Sequence, residues 1–485
     1  MGKRLLLLIP AITLSLSTLF AQSTKADEES FIYETWNNQK VEAFRGSLKV
    51  PENRSADNSR MISIQYVRLP AMRENHGSPI IYLSGGPGGS GIMAINYRYD
   101  MFMALRQYGD VIALDQRGTG ASNIVPECRS KHSVPANKQI SDLEFITLHQ
   151  HALRECLAFW KNGGTDIGGY NTLENARDLE ALRQHLGAEK IILWGTSYGS
   201  HLALTALKTM GEKIEKIVMS SVEGLNQTIK LPARTNAYLD RLQAAVNSQP
   251  KAKVAYPDIK SLMQRVHAKL DQHPLPLQLA LPGGEKVDFL LQRRDMQLLA
   301  ASLISDPQHA ARLLQVYRTI DRGTKPSFEN IPGRLLPDRF VAPGQPITMQ
   351  AMPYAMDIAS GMTEQRKANV KEQAKTAILN GYLNFTFYYD EIAPQLDLGD
   401  HFRTNPISEV PVLLLSGTLD GRTYIESQRE AVAGLKNVTR IKVRNAGHNL
   451  FDVPSDEIQN AINRFLEDKP ALQTIITVDL PNMDL

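Results

Sequence analysis

The sequence predicts an α/β architecture: a mostly parallel central sheet, flanked by helices, with a helical cap inserted in the core. Three observations lead there. Short apolar runs bounded by Gly and Asp occur in two groups, Pro79–Leu83, Val111–Leu114, Ile191–Trp194 and Ile217–Ser220, then Val412–Leu415 and Arg440–Val443. Continuous rather than alternating apolar runs suit parallel strands buried on both faces. Between two of them lies a helix pattern, Thr172–Leu186, and strand–helix–strand alternation marks an α/β sheet. Between the two groups, residues 226–403 hold no such run and are rich in helix formers.

The elements follow in chain order. Lys3 and Arg4 precede an apolar run, Leu5–Phe20, broken by Thr13, Ser15, Ser17 and Thr18, with small residues at Ala21 and Ala26. That is the layout of a secretory signal peptide, expected over residues 1–21. A membrane anchor would need about 20 consecutive strongly apolar residues. The expected location is therefore exported, periplasmic or secreted, with no stable membrane insertion after cleavage. Leu48–Pro51 and Met61–Leu69 flank a polar stretch, Glu52–Arg60, and read as a hairpin. In Thr172–Leu186, Leu173, Ala176, Leu179, Leu182 and Leu186 recur at helical spacing; Asn171 with Glu174 can cap the start and Gly187 the end. The interval 226–403 offers helices at Tyr238–Ser248, Ile259–Gln272, Arg294–Leu303 and Gln308–Tyr317, broken by a Pro-rich segment, Ile331–Pro346. The expected organisation is a signal peptide over 1–21, core over 22–225, a mostly helical cap over 226–403, and core again over 404–485.

Composition excludes some classes. Of 485 residues 42% are hydrophobic and 22% charged, and the net charge of +3 falls by two once Lys3 and Arg4 leave. No basic block exists, so nucleic acid and anionic membranes are not expected partners. The two cysteines, Cys128 and Cys156, form an even pair in an exported chain and suggest one disulfide, the alternative being two buried thiols.

Four motifs carry chemistry. Gly195-Thr196-Ser197-Tyr198-Gly199 stands between a strand and a helical run, Ser200–Met210. A serine hydroxyl attacks only when it is exposed, held and served by a base. A tight strand-to-helix turn exposes it, and the turn needs flanking residues with little side chain. Ser197 is thus the candidate nucleophile of an α/β-hydrolase fold. Upstream, Ser84-Gly85-Gly86-Pro87-Gly88-Gly89-Ser90 follows the strand Pro79–Leu83 and suits the loop that receives an oxyanion on backbone N–H groups. The other such donor is the residue after the nucleophile, Tyr198. A phosphate cradle would want a Lys-Ser/Thr pair at the loop's end, and none is there. Asp420 and His448 each follow the C-terminal end of a strand, where such sheets bind ligands, and the order Ser, Asp, His is the one this fold uses. In that triad the acid holds the imidazole and the imidazole carries the serine proton.

Gly85-Gly86-Pro87-Gly88, Asp115-Gln116-Arg117-Gly118-Thr119-Gly120-Ala121-Ser122 and Gly195–Ser200 together resemble the proline iminopeptidase family. The exported branch, similar to tripeptidyl aminopeptidases, is matched by Gly417-Thr418-Leu419-Asp420-Gly421-Arg422-Thr423 and Gly447-His448. The resemblance covers roughly 45–225 and 405–455, with Ser84 where the family often has His. It implies Gly86 as second oxyanion donor and a structural, loop-bracing role for Asp115-Gln116-Arg117. It also implies removal of residues from the free N-terminus of peptides. Recognising that ammonium calls for a carboxylate at short range. Glu223, past the strand Ile217–Ser220, is one candidate; Asp390 and Glu391 are the other. An esterase or lipase would share the triad and lack such an acid, and a non-catalytic binding protein would share only the fold. Neither a dinucleotide fingerprint nor H-E-x-x-H spacing occurs, so no cofactor and no metal are expected. Oligomeric state has no sequence signature here.

Overall fold

The computed structural model describes residues 28–74, 76–281 and 284–484; the expected signal peptide, 1–21, lies outside them. The strands are β1 (Glu28–Glu34), β2 (Lys40–Pro51), β3 (Met61–Leu69), β4 (Ile80–Leu83), β5 (Val111–Asp115), β6 (Cys128–Ser133), β7 (Ile191–Thr196), β8 (Ile214–Ser220), β9 (Leu275–Ala280), β10 (Lys286–Leu291), β11 (Pro346–Met349), β12 (Val412–Gly417), β13 (Val438–Arg444) and β14 (Ile475–Thr477). Ten of them make one sheet in the order β1-β2-β3-β5-β4-β7-β8-β12-β13-β14. From β5 to β14 every pairing is parallel, and β1, β2 and β3 add an antiparallel edge.

The pattern of burial explains the division. β4, β5, β7 and β12 are buried at every position, as strands covered on both faces must be. β2 alternates buried and exposed residues, as an antiparallel strand with one wet face does. Two apolar clusters fill the two faces, one around Leu83, Leu193 and Leu202, the other around Tyr82, Trp194 and Ile462. The helix Thr172–His185 starts as its sequence dictates, with Asn171 Oδ1 accepting from the Glu174 N–H at 2.9 Å.

Between β8 and β12 the chain builds a separate covering layer. Helices Pro232–Asn247, Ile259–Gln272, Arg293–Leu303 and Pro307–Asp321 share one apolar cluster with the hairpin β9–β10. A further helix, Ala351–Ser360, lies over the sheet's C-terminal edge. This layer also draws on residues upstream of 226. β6 pairs with β11, and the helix Asp142–Asn162 shares its buried residues with Met349, Ala351 and Tyr389 rather than with the large sheet. A disulfide joins Cys128 on β6 to Cys156 on that helix. The composition shift near 226 gave no sign of this contribution, because β6 (CRSKHS) is polar and pairs with a distant segment.

Candidate active site

Ser197 stands at the turn from β7 into the helix Tyr198–Met210 with φ 53° and ψ −126°, a backbone that non-glycine residues rarely adopt. The turn is as tight as the Gly-x-Ser-x-Gly pattern requires. A Cβ on Gly199 would collide with the Leu83 carbonyl oxygen, and one on Gly195 would sit 2.6 Å from the Gly199 oxygen. The Ser197 N–H donates to the Ser220 carbonyl at 3.2 Å, and its own carbonyl accepts from Ser200 Oγ at 2.5 Å. The turn is thereby fixed to the end of β8.

The glycine-rich loop after β4 faces this turn. A Cβ on Gly85 would lie 3.1 Å from Ser197 Cβ, so the loop backbone passes directly beside the candidate nucleophile. The loop is braced from the end of β5, just past which Gln116 Nε2 donates to the Ser84 carbonyl at 3.1 Å. Asp115 accepts from Ser90 Oγ at 2.5 Å and from the Ile92 N–H at 3.1 Å. Arg117, fully buried, forks onto Asp178 with two bonds of 2.8 Å. Its ion pair therefore fixes the chain to the helix Thr172–His185, and loop bracing falls to its two neighbours.

Asp420 and His448 meet at the ends of β12 and β13. His448 Nδ1 lies 3.1 Å from both Asp420 oxygens. The carboxylate is wholly buried and also accepts from the Arg422 N–H (2.8 Å), the Thr423 N–H (2.9 Å), Thr423 Oγ1 (2.8 Å) and Gln428 Nε2 (3.2 Å). Burial alone would push this acid up; the adjacent imidazole and the donors outweigh it and hold the carboxyl well below the usual carboxylate range. A carboxylate so placed stays ionised and fixes the imidazole by Nδ1, leaving Nε2 for chemistry. His448 is held from behind as well: its N–H donates to the Ser305 carbonyl at 2.8 Å, and Ser221 Oγ donates to its carbonyl at 2.7 Å. Ser220 and Ser221 thus tether the serine turn and the histidine loop to one strand end.

Family models match in two places. One for the α/β hydrolase fold covers residues 78–277, the stretch holding the glycine loop and Ser197. One described as TAP-like protein covers 398–472, the stretch holding Asp420 and His448. The chain has the α/β-hydrolase fold. This hydrolase is 29% identical over 170 residues to the hydrolase YuaR of Escherichia coli (strain K12), covering 35% of this chain and 32% of that one. It is 29% identical over 160 residues to the "Probable proline iminopeptidase" of Streptomyces coelicolor, covering 33% and 38%. To the tripeptidyl aminopeptidase of Streptomyces lividans it is 24% identical over 186 residues, covering 36% and 35%. The matched stretches thus span about a third of the length of these relatives.

The three acids nominated by sequence have different surroundings. Glu223 is buried beside the serine turn, where its N–H donates to Ser200 Oγ at 3.0 Å, but its carboxylate is paired with Lys230 Nζ at 3.0 Å. Burial would raise Glu223; Lys230, with His201, holds it below its ordinary value. Asp390 is bound to Lys367 Nζ at 2.5 Å, and the Glu391 side chain is 79% exposed with the same lysine 3.8 Å away. Among the described residues, no hydrogen bond or ion pair links Asp390 or Glu391 to the turns bearing Ser197, Asp420 or His448.

One site residue escaped the sequence reading. The helix Ala351–Ser360 roofs the site: Met356 Sδ lies 3.0 Å from Tyr198 Oη, and a Cβ on Gly88 would lie 2.9 Å from Pro353 Cγ. On that helix, one turn beyond Pro353 and on the same face, is Asp357. A lone acid inside the otherwise uncharged run AMPYAMDIAS is the signal that could have found it.

Proposed function

We propose that this hydrolase is an exported serine peptidase of the aminopeptidase type, releasing residues from the free N-terminus of peptides through an acyl-enzyme on Ser197. The carrying observation is the Asp420–His448 pair, tied through Ser220 and Ser221 to a strained serine turn with a glycine loop beside it. In this reading His448 Nε2 takes the Ser197 hydroxyl proton as Oγ attacks the scissile carbonyl. The Gly86 and Tyr198 N–H groups receive the oxyanion, each such donor contributing ~3 kcal/mol to the barrier reduction. Collapse expels the amine, which leaves with the proton from His448, and water reverses the sequence to free the acid. Relatives named as proline iminopeptidase and tripeptidyl aminopeptidase support the peptidase class. A disulfide, stable chiefly in oxidising compartments, supports export together with the leader-like residues 1–21. Among the described residues no helix is long and apolar enough to cross a membrane.

A carboxylesterase is the second reading. Its support is that Glu223 and Asp390 already hold lysines, which leaves neither free for a substrate ammonium.

Fluorophosphonate labelling followed by peptide mapping tests the nucleophile: the adduct is expected on Ser197, and Ser197→Ala is expected to lose turnover by several orders of magnitude while still folding. Labelling elsewhere overturns the assignment. Aminoacyl, tripeptidyl and short acyl-ester chromogenic substrates, compared on one enzyme preparation, separate peptidase from esterase.

A further inference from the structure

Every other acid close to the site is already partnered: Asp420 by His448 and three neighbouring residues, Glu223 by Lys230. Asp357 is not. Among the described residues no hydrogen bond or ion pair reaches its carboxylate. Its helix is nonetheless fixed on all sides of the site, with Met356 on Tyr198, Pro353 against Gly88, and Ser360 Oγ 3.2 Å from His201 Nε2. Asp357 is half-buried, and a carboxylate so placed without a donor from the protein keeps its bonding capacity for solvent or a bound cation.

We propose that Asp357 is the specificity-determining acid of the site and binds the ammonium group of the substrate's N-terminus. The proposal rests on the aminopeptidase reading and moves the recognition role from Glu223, Asp390 and Glu391 to the roof helix. The groups that act electrostatically with Asp357 come from four elements: Tyr354 on its own helix, Tyr198 from the helix after Ser197, Glu223 and Lys230 from the segment after β8, and Arg422 from the loop after β12. Lys230 donates to Glu223 at 3.0 Å and to the Thr228 carbonyl at 2.9 Å, and neither bond reaches Asp357. Arg422 is bonded to the Ala301 carbonyl at 3.1 Å. Burial pushes the Asp357 carboxyl up to about 7, Lys230 and Arg422 pulling it down and Glu223 pushing it up. An arriving ammonium would favour the ionised form and form a charge-assisted hydrogen bond with it.

The test uses the full chain and three chromogenic amides: alanyl with a free N-terminus, acetyl-alanyl, and acetyl-lysyl. Wild type is expected to prefer the free alanyl amide by ~100-fold or more in kcat/KM. Asp357→Asn is expected to shrink that preference to a few-fold, while Glu223→Gln keeps most of it. In wild type the preference is expected to fall as pH drops from 7.5 to 5.5, a range in which the substrate amine only gains protonation and pH effects common to both substrates cancel in the ratio. This wild-type measurement keeps the idea testable if Asp357→Asn does not fold. A preference that survives Asp357→Asn, or that stays flat over this pH range, overturns the role of Asp357 and leaves the aminopeptidase reading standing. If Asp357→Asn changes only the acetyl-lysyl rate, the acid reads a side chain and the N-terminal assignment is wrong. Equal wild-type rates on the free and acetylated alanyl amides overturn the aminopeptidase reading itself.

Discussion

The loop after β12 and the roof helix Ala351–Ser360 each present one aspartate to the same site, and they treat it in opposite ways. Asp420 sits at the end of a strand with parallel neighbours on both sides and accepts bonds from the backbone and side chains of its own loop. Asp357 sits on a helix that reaches the site from the covering layer, and among the described residues its carboxylate accepts no hydrogen bond. The first carboxylate is built to stay charged and still. The second keeps its bonding capacity open, which is what a recognition group needs and a support group must avoid.

The sharpest way to break this comparison is Asp420→Asn. It is expected to lower kcat by ~10⁴-fold on free and acetylated substrates alike, since the imidazole would lose its anchor and preferred tautomer. Retention of a tenth of the wild-type rate would remove Asp420 from the machinery. His448→Ala should do at least as much damage, and a milder loss would give the base role to another histidine.

Stability against pH should separate the two acids by sign. Asp357 has a raised pKa in the fold, so its cost is absent below about pH 4, grows from there to about pH 7 and is constant above. Asp357→Asn is therefore expected to stabilise the protein at pH 8 by roughly 2–4 kcal/mol, at 1.36 kcal/mol per unit, and to lose that advantage at pH 4. Asp420 is depressed: its contribution is present above about pH 4 and is lost as pH falls toward its folded value. Asp420→Asn should destabilise at pH 7, with the gap narrowing in acid. Urea midpoints at three pH values would show both trends, and parallel trends would contradict the contrast.

A smaller effect concerns how each region is anchored. The roof helix begins two residues after β11, which pairs with β6, and β6 is cross-linked to the helix Asp142–Asn162. Reducing Cys128–Cys156, or the double change to Ser, is expected to cost about 3–4 kcal/mol for a loop of this length. Hydrogen exchange should rise in 346–360 and stay unchanged in 412–424. Equal loosening of both segments would mean that the roof is not held independently.

The serine turn, the glycine loop and the two strand-end residues were legible because each follows a continuous apolar run, and two-sided burial leaves that mark wherever it occurs. β1 and β14 were missed for the converse reason. β1 (EESFIYE) is an edge strand of mixed character, and β14 is three residues long. The β6–β11 pair left no pattern because one strand is polar and the other begins with Pro346. Glu223 could be read as following a strand end, but its lysine lies seven residues on and nothing local announces the pairing. Asp390 was nominated from its place near the end of the insertion and from resemblance, and the fold gives it Lys367. Asp357 needed tertiary packing to become meaningful, since only the docking of its helix on Tyr198 and Gly88 brings it to the chemistry.

The pairing of β8 with β12 also bears on how the molecule assembles. Ser220 lies opposite Leu415, so the sheet's centre is closed by a contact between residues nearly two hundred positions apart. In equilibrium terms so long a detour is tolerable, because each doubling of a loop adds only about 0.6 kcal/mol of closure entropy. In kinetic terms it is slow, since that closure must precede any reward from the strands it joins. A covering layer with its own apolar cluster can condense first and shorten the search by bringing the two strand ends together. The same bulk that shelters the site would then act during synthesis as the template on which the two halves of the sheet find each other.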